Sequence, residues 1–233
     1  MRNDVGTIVI PCFNEELRFN SDYFNELNIK LLNSGVELVF INDGSTDGTL
    51  EVLQNISFKP RIMNLQKNVG KAEAIRCSFK HEITIKEKKI FGYLDSDSSF
   101  NLNDVSTLVT EFISNAKFAN FQILSAARVK LAGSVIDRKT YRHYTGRLVS
   151  NFLNLGIKNK MYDPQSGFKL FRINNNLVKA IEKPFMTRWF IDMEIIRHYN
   201  FCKNPIIEIP VSSWVDTPGS KIVLKNILEF FAN

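Results

Sequence analysis

The stretch Ile90-Phe91-Gly92-Tyr93-Leu94-Asp95-Ser96-Asp97 decides how the rest of the chain is interpreted. Its first five residues form an apolar run that is short enough for a buried strand. Two carboxylates then follow where this strand should end. Because like charges repel in a low dielectric, the pair favours a divalent cation, and hard oxygen ligands suit Mg²⁺ or Mn²⁺. The same residues also fit an ordinary turn or helix cap.

Working outward, strand-like and helix-like patterns alternate through the first half of the chain. Strands are predicted at about 5–10, 36–41, 61–65 and 89–94, with helices at about 21–34, 49–56 and 72–84. This alternation predicts a mainly parallel sheet flanked by helices, with Pro11 ending the first strand. Ligands of such sheets bind beyond the carboxyl ends of the strands. The polar loops Asn14-Glu15, Asn42-Asp43 and Asp95–Asp97 are therefore expected along one edge.

The second half continues with a helix, a strand and a basic segment. The predicted elements are a helix at 103–115, strands at 121–126, 168–172 and 206–211, a helix around Leu148–Leu155, a helix at 188–199 and an amphipathic end at 222–231. No linker or internal repeat interrupts them, which favours one domain over residues 1–233.

Composition and charge narrow the class of protein. The 233 residues are 44% hydrophobic and 23% charged, which is typical of a globular domain with a sizeable core. We expect no signal peptide, because the first residues lead straight into a predicted strand, and no spanning segment, because no apolar run reaches about 18 residues. The unclustered cysteines Cys12, Cys77 and Cys202 favour a cytoplasmic location. A net charge of +6 fits phosphorylated or polyanionic partners, or simply a solvated basic surface.

Two nucleotide-binding signatures are missing from the sequence. No G-x-G-x-x-G follows the first strand, which argues against a dinucleotide redox cofactor, and no P-loop motif is present.

Several motifs instead resemble those of a known family. In order, they are Ile10-Pro11-Cys12-Phe13-Asn14-Glu15, Asn42–Thr49, Asn68-Val69-Gly70-Lys71 and Asp95-Ser96-Asp97. Together they resemble the ordered motifs of family 2 glycosyltransferases with the GT-A fold. Segments 163–171, 188–194 and 219–221 are similar to polyprenyl-phosphate glycosyltransferases, above all to dolichyl-phosphate β-glucosyltransferases and next to dolichyl-phosphate mannose synthases. The resemblance covers nearly the whole chain.

The resemblance implies a fold and an activity. It implies an α/β, Rossmann-like GT-A domain, with a nucleotide-binding half at about 1–100 and an acceptor-binding half at about 101–233. The implied reaction is an inverting transfer of a sugar, with glucose favoured, from a nucleotide-diphosphate sugar to a polyprenyl or dolichyl phosphate. UDP-glucose is the favoured donor.

The resemblance also assigns residues to the donor. Pro11, Phe13 and Glu15 would line the nucleoside pocket, and Asp43 would accept hydrogen bonds from the base. A buried polar pairing of this kind discriminates strongly between bases. Lys71 would lie near the nucleotide. Helix capping and solvation remain open as alternatives for Glu15, Asp43 and Lys71.

The aspartate pair takes the metal in this interpretation. Asp95 and Asp97 would bind Mg²⁺ or Mn²⁺ at the diphosphate, with Ser96 between them among the substrate-binding residues. The metal would stabilise negative charge on the leaving nucleoside diphosphate. The chain departs from the family pattern at Asn42, where an aspartate is common, and at Ser99, where some relatives carry an amide ligand.

The acceptor phosphate requires positive charge more than a base, since it is already ionised near neutral pH. Arg128, Arg138 and Arg142 fall where the family has its arginines, and a guanidinium binds phosphate bidentately. A basic solvated helix face is the alternative. By resemblance, Asp163 borders the acceptor pocket.

Three further residues come from the family motifs. Asp192 and Glu194 would position the sugar or act as a base, and Lys221 would close over the diphosphate on a lid loop. Asp97, Arg128 and Asp192 are thus the predicted catalytic residues.

Other functions stay open on the sequence alone. A saccharide acceptor is the first alternative, and a catalytically silent sugar-nucleotide-binding module is the second, suggested by Asn42 and Ser99. Nucleic-acid binding is not expected, because the aromatic residues of the basic segment form no known RNA-binding motif. The amphipathic end at 222–231 predicts either packing on the domain or peripheral contact with the cytoplasmic face of a membrane.

Overall fold

The computed structural model describes residues 5–85, 88–137 and 157–216, without the side chains of residues 84 and 85. The strands are β1 (Gly6–Cys12), β2 (Val36–Asp43), β3 (Arg61–Leu65), β4 (Ile90–Leu94), β5 (Ile123–Ala127), β6 (Val135–Asp137), β7 (Phe168–Arg172), β8 (Ile206–Pro210) and β9 (Ser213–Val215). The helices are α1 (Ser21–Leu31), α2 (Thr49–Gln54), α3 (Lys71–Ile85), α4 (Leu102–Ser114), α5 (Asn175–Glu182) and α6 (Ile191–Ile196), with 3₁₀ turns at Ala116–Phe118 and Arg197–Tyr199.

Within the described residues, seven strands form one sheet in the order β3-β2-β1-β4-β7-β5-β8. Neighbouring strands run parallel except at β7, which is antiparallel to both β4 and β5. The mainly parallel sheet predicted from the sequence is therefore confirmed. Leu94 at the end of β4 pairs with Phe168 at the start of β7. The turn before β7 consequently lies at the edge where β1, β2 and β4 end.

Helices cover both faces of the sheet because its inner strands alternate apolar residues on the two sides. Ile8 and Ile10 pack in one core cluster with Phe24 of α1, whereas Val9 packs in the other with Phe79 of α3. Successive strand residues point to opposite faces, so one strand contributes to both clusters.

A small parallel ribbon of β6 and β9 lies apart from the main sheet. Phe100 forms an isolated antiparallel β-bridge with Trp214 of β9. The sequence patterns missed both of these strands, as well as α5. The ribbon strands have only three residues each, too few for a clear alternation of polar and apolar residues.

Several predicted boundaries were wrong. Pro11 does not end β1, which continues to Cys12 and pairs there with β2 alone. A proline lacks an N–H and is tolerated where a strand has one hydrogen-bonded neighbour. The helix predicted at 188–199 begins only at Ile191 and tightens to a 3₁₀ turn at Arg197. The helix near Leu148 and the amphipathic end lie outside the described residues.

Candidate active site

The loops that follow β1 and β2 are tied together. Pro11 lies within β1. Phe13 is the first residue after this strand and is half-buried. The Glu15 backbone N–H donates to Thr49 Oγ1 at 2.7 Å, and Thr49 begins α2. This contact holds the residues predicted for the nucleoside pocket beside the loop that begins at Asp43.

Glu15 is buried and forms a two-point ion pair with Arg18, whose Nε and Nη2 contact its two carboxylate oxygens. The hydrogen bond with Glu15 raises the pKa of Arg18 above its ordinary value, and the charges of Asp97 and Asp95 add to the effect. Arg18 therefore lies within electrostatic range of the aspartate pair. Arg18 was not among the predicted site residues, although its spacing of three residues from Glu15 is a signal for such a pair.

Asp43 organises the loop that precedes α3. Its Oδ1 accepts from Val69 N at 2.8 Å, and its Oδ2 accepts from Asn68 Nδ2 at 2.8 Å and from Gly70 N at 3.0 Å. Burial raises the pKa of Asp43 more than these bonds lower it. A base bound at Asp43 would share the carboxylate with this loop.

Arg188 packs against the same loop and was also missed by the sequence analysis. Its Nη2 donates to Asn68 Oδ1, and its side chain lies against Gly70, where a Cβ would come within 3.1 Å of Arg188 Cβ. Gly70 has φ +96°, which glycine adopts readily. The segment before α6 is thereby brought to the edge where β1, β2 and β4 end, hereafter the donor edge.

Asp95 and Asp97 follow β4, as expected. Asp95 N donates to the Gly167 carbonyl at 2.9 Å, and Lys71 Nζ is ion-paired with Asp95 Oδ1. Asp97 Oδ1 accepts from Ser99 N at 3.1 Å. Burial, together with the neighbouring charge of Asp95, raises the pKa of Asp97 above its ordinary value. Bound cationic charge at this edge would relieve that repulsion.

The carboxylates at this edge fit Mg²⁺ or Mn²⁺ in a site where substrate phosphates complete the coordination of the metal. Asp95 and Asp97 offer hard carboxylate oxygens, and Mg²⁺ is commonly bound by one or two carboxylates plus substrate phosphates and water. In the part of the chain that the structure describes, no cluster of three or more potential metal-binding side chains occurs. Next to Asp97, the buried Ser98 Oγ has no hydrogen-bond partner among the described residues. Ser96 is buried between the two aspartates.

Arg128, just after β5, is held by Asp163. Its Nε and Nη2 donate to Asp163 Oδ2 and Oδ1 at 2.7 Å each, and Nη2 also donates to the Gln165 carbonyl at 3.0 Å. The guanidinium lies over Trp214, with 5.1 Å from Cζ to the ring centroid. Arg128 thus has one fixed orientation.

The electrostatics of this pair connect it to the donor edge. Burial alone would raise the pKa of Asp163, but Arg128 lowers it well below its usual range. Burial alone would lower the pKa of Arg128, and nearby carboxylates, Asp95 and Asp97 among them, raise it instead. The structure therefore brings Arg128 into the electrostatic field of the aspartate pair.

The two carboxylates of α6 are both engaged. Asp192 Oδ1 accepts from Tyr93 O–H at 2.5 Å and is ion-paired with Lys169 Nζ at 2.9 Å. Glu194 Oε1 accepts from the backbone N–H groups of residues 186 and 187, at 3.0 and 3.1 Å. Glu194 therefore holds the segment that leads to Arg188. The remaining predicted site residues, Arg138, Arg142 and Lys221, lie outside the described residues.

A mainly parallel sheet, with one antiparallel strand beside the strand that Asp95-Ser96-Asp97 follows, agrees with the GT-A fold that the resemblance implies. The family model described as Glycosyl transferase family 2 matches residues 7–173. The chain therefore belongs to glycosyl transferase family 2.

Curated relatives extend the similarity over most of the chain. A dolichyl-phosphate β-glucosyltransferase of Saccharomyces cerevisiae is 30% identical over 94% of this chain and 69% of its own length. The Homo sapiens protein of the same name is 28% identical over 93% of this chain and 69% of its own length.

Among solved structures, glucosyl-3-phosphoglycerate synthase of Mycobacterium tuberculosis superposes with a TM-score of 0.66 at 18% identity, covering 97% of this chain and 76% of that one. The same enzyme in complex with Mn²⁺, UDP and glucosyl-3-phosphoglycerate gives a TM-score of 0.63 at 18% identity, over 93% and 74% of the two chains. At this identity the likeness supports the fold.

Proposed function

We propose that the protein transfers glucose from UDP-glucose to a polyprenyl or dolichyl phosphate with inversion at the anomeric carbon. The observation that carries the proposal is the ion pair of Arg128 with Asp163, buried in the field of Asp95 and Asp97. It puts an oriented guanidinium within electrostatic range of Asp95 and Asp97. The relatives named as dolichyl-phosphate β-glucosyltransferases support the choice of sugar and acceptor.

The donor half, about residues 1–100, supplies the nucleotide contacts in this proposal. Pro11, Phe13, Glu15 and Asp43 bind the nucleoside, with Arg18 and Arg188 as added contacts to its edge. Support comes from the hydrogen bond that joins Glu15 to Thr49 at the start of α2, and from the one that joins Asp43 to the loop before α3. A Mg²⁺ or Mn²⁺ ion bound by Asp95 and Asp97 would supply Lewis-acid stabilisation of the leaving diphosphate.

The acceptor half, about residues 101–233, holds the lipid phosphate. Arg128 has its Nε and Nη2 engaged by the turn, so it offers Nη1 to the phosphate, and together with Arg138 and Arg142 it aligns one phosphate oxygen with the anomeric carbon. That oxygen forms the new bond as the bond to the diphosphate oxygen breaks, and the electron pair leaves with the nucleoside diphosphate. No proton has to be removed from an ionised phosphate monoester, so Asp192 can remain a buried partner of Lys169.

Lys71 has a distinct role in this scheme. Its ammonium is paired with Asp95 without substrate. With a divalent cation held by that carboxylate, the Lys71 ammonium would be available to the diphosphate, and Lys221 would contact the diphosphate from the lid loop that the resemblance implies. Both lysines would then offset the phosphate charge.

Peripheral membrane contact belongs to the same proposal, since the acceptor carries a lipid. Leu131, Val135 and Val215 expose apolar side chains on or next to the β6–β9 ribbon, whose Trp214 lies under Arg128. Within the described residues no helix combines the length and the apolar content that a membrane span requires. Co-sedimentation with phospholipid vesicles tests this contact, and recovery of the protein in the supernatant alone would contradict it.

The deciding experiment is a transfer assay with purified protein, radiolabelled UDP-glucose and polyprenyl phosphate in detergent, with Mn²⁺, Mg²⁺ or chelator. We expect metal-dependent formation of a lipid-linked sugar. Asp97→Asn should lower kcat by about 100-fold because a charged metal ligand is lost. The exposed Asp22→Asn serves as the matched control and should retain wild-type turnover.

Three outcomes would contradict the proposal. Transfer to a free glycan but not to lipid phosphate would favour the saccharide-acceptor alternative. Metal-dependent binding of UDP-glucose without any transfer would favour a silent binding module. Wild-type turnover by Asp97→Asn would remove the metal assignment.

A further inference from the structure

A row of polar side chains crosses four strands beneath the turn that carries Asp163. Tyr93 of β4 and Ser125 of β5 both pair with Lys169 of β7, and Ser125 pairs in turn with Glu208 of β8. Residues paired across neighbouring strands project to the same face of a sheet. The four side chains therefore line up on one face. Three of them, those of Tyr93, Ser125 and Lys169, are buried.

Glu208 supports the first part of the turn. Its Oε2 accepts from Tyr162 N at 2.6 Å, and its Oε1 accepts from Asp163 N at 2.8 Å. One carboxylate thus binds two consecutive backbone N–H groups, one of them belonging to the residue that clamps Arg128. A shift of Glu208 would move Asp163 directly.

Lys169 supports the second part of the turn. Its ammonium donates to the carbonyls of Pro164 and Ser166 at 2.9 Å each, and to Tyr93 Oη at 3.2 Å. The side chain is 0% exposed and is neutralised by Asp192. Burying an ammonium is costly unless several oxygens and a counterion compensate it. Here those oxygens come from the turn itself.

Arg128 receives its orientation from the same turn. Two of its nitrogens bind Asp163, and Nη2 also binds the Gln165 carbonyl. Glu208 and Lys169 thus hold the backbone of the turn, and the turn holds Arg128. The same loop accepts a hydrogen bond from Asp95 N at the Gly167 carbonyl, at 2.9 Å.

We propose that Lys169 and Glu208 are positioning residues that set the place of Arg128 for the acceptor phosphate. The inference rests on the proposed function, because it takes Arg128 as the phosphate-binding group. The buried ammonium of Lys169 and the half-buried carboxylate of Glu208 are proposed to act on the acceptor and not on the donor. A role in stability alone would lower the melting temperature and leave both KM values unchanged.

Glu208→Gln is the principal test, since an amide keeps the size of the side chain but offers one acceptor oxygen for two N–H groups. We expect the KM for polyprenyl phosphate to rise about 10-fold, the effect of losing one charge-assisted hydrogen bond. The KM for UDP-glucose should stay within about two-fold, as should UDP binding measured calorimetrically with Mn²⁺.

The double variant Lys169→Met/Asp192→Asn tests the other half of the row without leaving an unpaired buried charge. It should shift the acceptor KM in the same direction. Ser125→Ala is the matched control, because Ser125 stands in the same row, is 0% exposed and has no side-chain hydrogen bond within the described residues. It should leave both KM values unchanged.

A wild-type acceptor KM in Glu208→Gln overturns the inference, as does an equal rise in donor and acceptor KM. If the double variant does not fold, Glu208→Gln decides alone. Absence of transfer by the wild-type protein overturns the proposed function itself, whereas an active wild type with unaffected variants overturns only the role of the row.

Discussion

Lys88 and Lys169 are both 0% exposed at the side chain, yet they sit at opposite ends of the sheet with different partners. Lys88 Nζ contacts Thr7 Oγ1 and the carboxylates of Glu37 and Glu82, each of the latter at 2.5 Å. These are side chains at the amino ends of β1 and β2 and near the end of α3. Lys169 also binds side chains of regular elements, Tyr93 of β4 and Asp192 of α6, but in addition it binds two backbone carbonyls of a turn at the carboxyl edge.

The difference in partners predicts a difference in role. A lysine surrounded by side chains of regular elements holds those elements together, so its loss should appear as lost stability. A lysine bound to turn carbonyls fixes a loop, so its loss should appear in substrate binding as well. Both depend on full compensation of a buried charge, which makes either one costly to break.

Lys88→Met tests whether Lys88 acts on stability, and it should have the largest effect on the free energy of unfolding. The substitution removes one of the two cations that bind Glu37 and Glu82 and leaves Arg61 as the other, so it should lower the free energy of unfolding by about 3 kcal/mol, measured by urea denaturation. The neighbouring exposed Lys89→Met is the control and should change it by less than about 0.5 kcal/mol. At temperatures where the variant is folded, the acceptor KM should equal that of the wild type. A raised acceptor KM would remove the distinction between the two lysines.

Acid should weaken the Lys88 cluster in a defined pH range. Burial alone would raise the pKa of Glu82, but hydrogen bonds from Arg61 and Lys88 lower it from 4.5 to about 2. A depressed pKa contributes stability that is present above pH 4.5 and is lost as the pH falls toward 2. With Glu82 1% exposed at the side chain, the contribution is about 3 kcal/mol.

The measurement is urea denaturation between pH 6 and pH 2.5 for the wild type and Glu82→Gln. The variant should be less stable at pH 6 and should lose less stability on acidification, because it has no carboxylate to protonate there. The exposed Glu51→Gln is the control and should follow the wild-type curve. Parallel pH curves for wild type and Glu82→Gln would contradict the assigned pKa.

The parallel half of the fold could be predicted from local sequence because its signals are local. Apolar runs such as Val36–Ile41, each followed by polar turn residues, mark both the strand and the edge where it ends. The order of β1, β2 and β4 then brings Glu15, Asp43 and Asp95 to one edge, as expected. The direction of β7 was not predictable, because an apolar run has the same pattern in a parallel or an antiparallel neighbour.

The roles of Lys169 and Glu208 beneath the site could not be predicted from the sequence, because the residues they contact are far away along the chain. Lys169 in the run Phe168–Arg172 contacts Tyr93, 76 residues away, and Glu208 holds Asp163 across 45 residues. A lone lysine inside an apolar strand does indicate a buried charge with a partner. It does not indicate which carboxylate or turn supplies that partner.

Tyr93→Phe should have the smallest effect and sharpens the comparison from the functional end. Tyr93 donates its proton to Asp192 Oδ1 at 2.5 Å, and its loss leaves Asp192 still paired with Lys169. We therefore expect about 1 kcal/mol of lost stability.

Tyr199→Phe is the matched control, because Tyr199 O–H donates to Asn174 Oδ1 at 3.0 Å away from the turn. Both variants should lose similar stability, but only Tyr93→Phe should raise the acceptor KM, by about two-fold, since it alone loosens Lys169 beneath the turn. If Tyr199→Phe raised the acceptor KM as much, the effect would reflect general loosening of the core, and the polar row would have no special relation to Arg128.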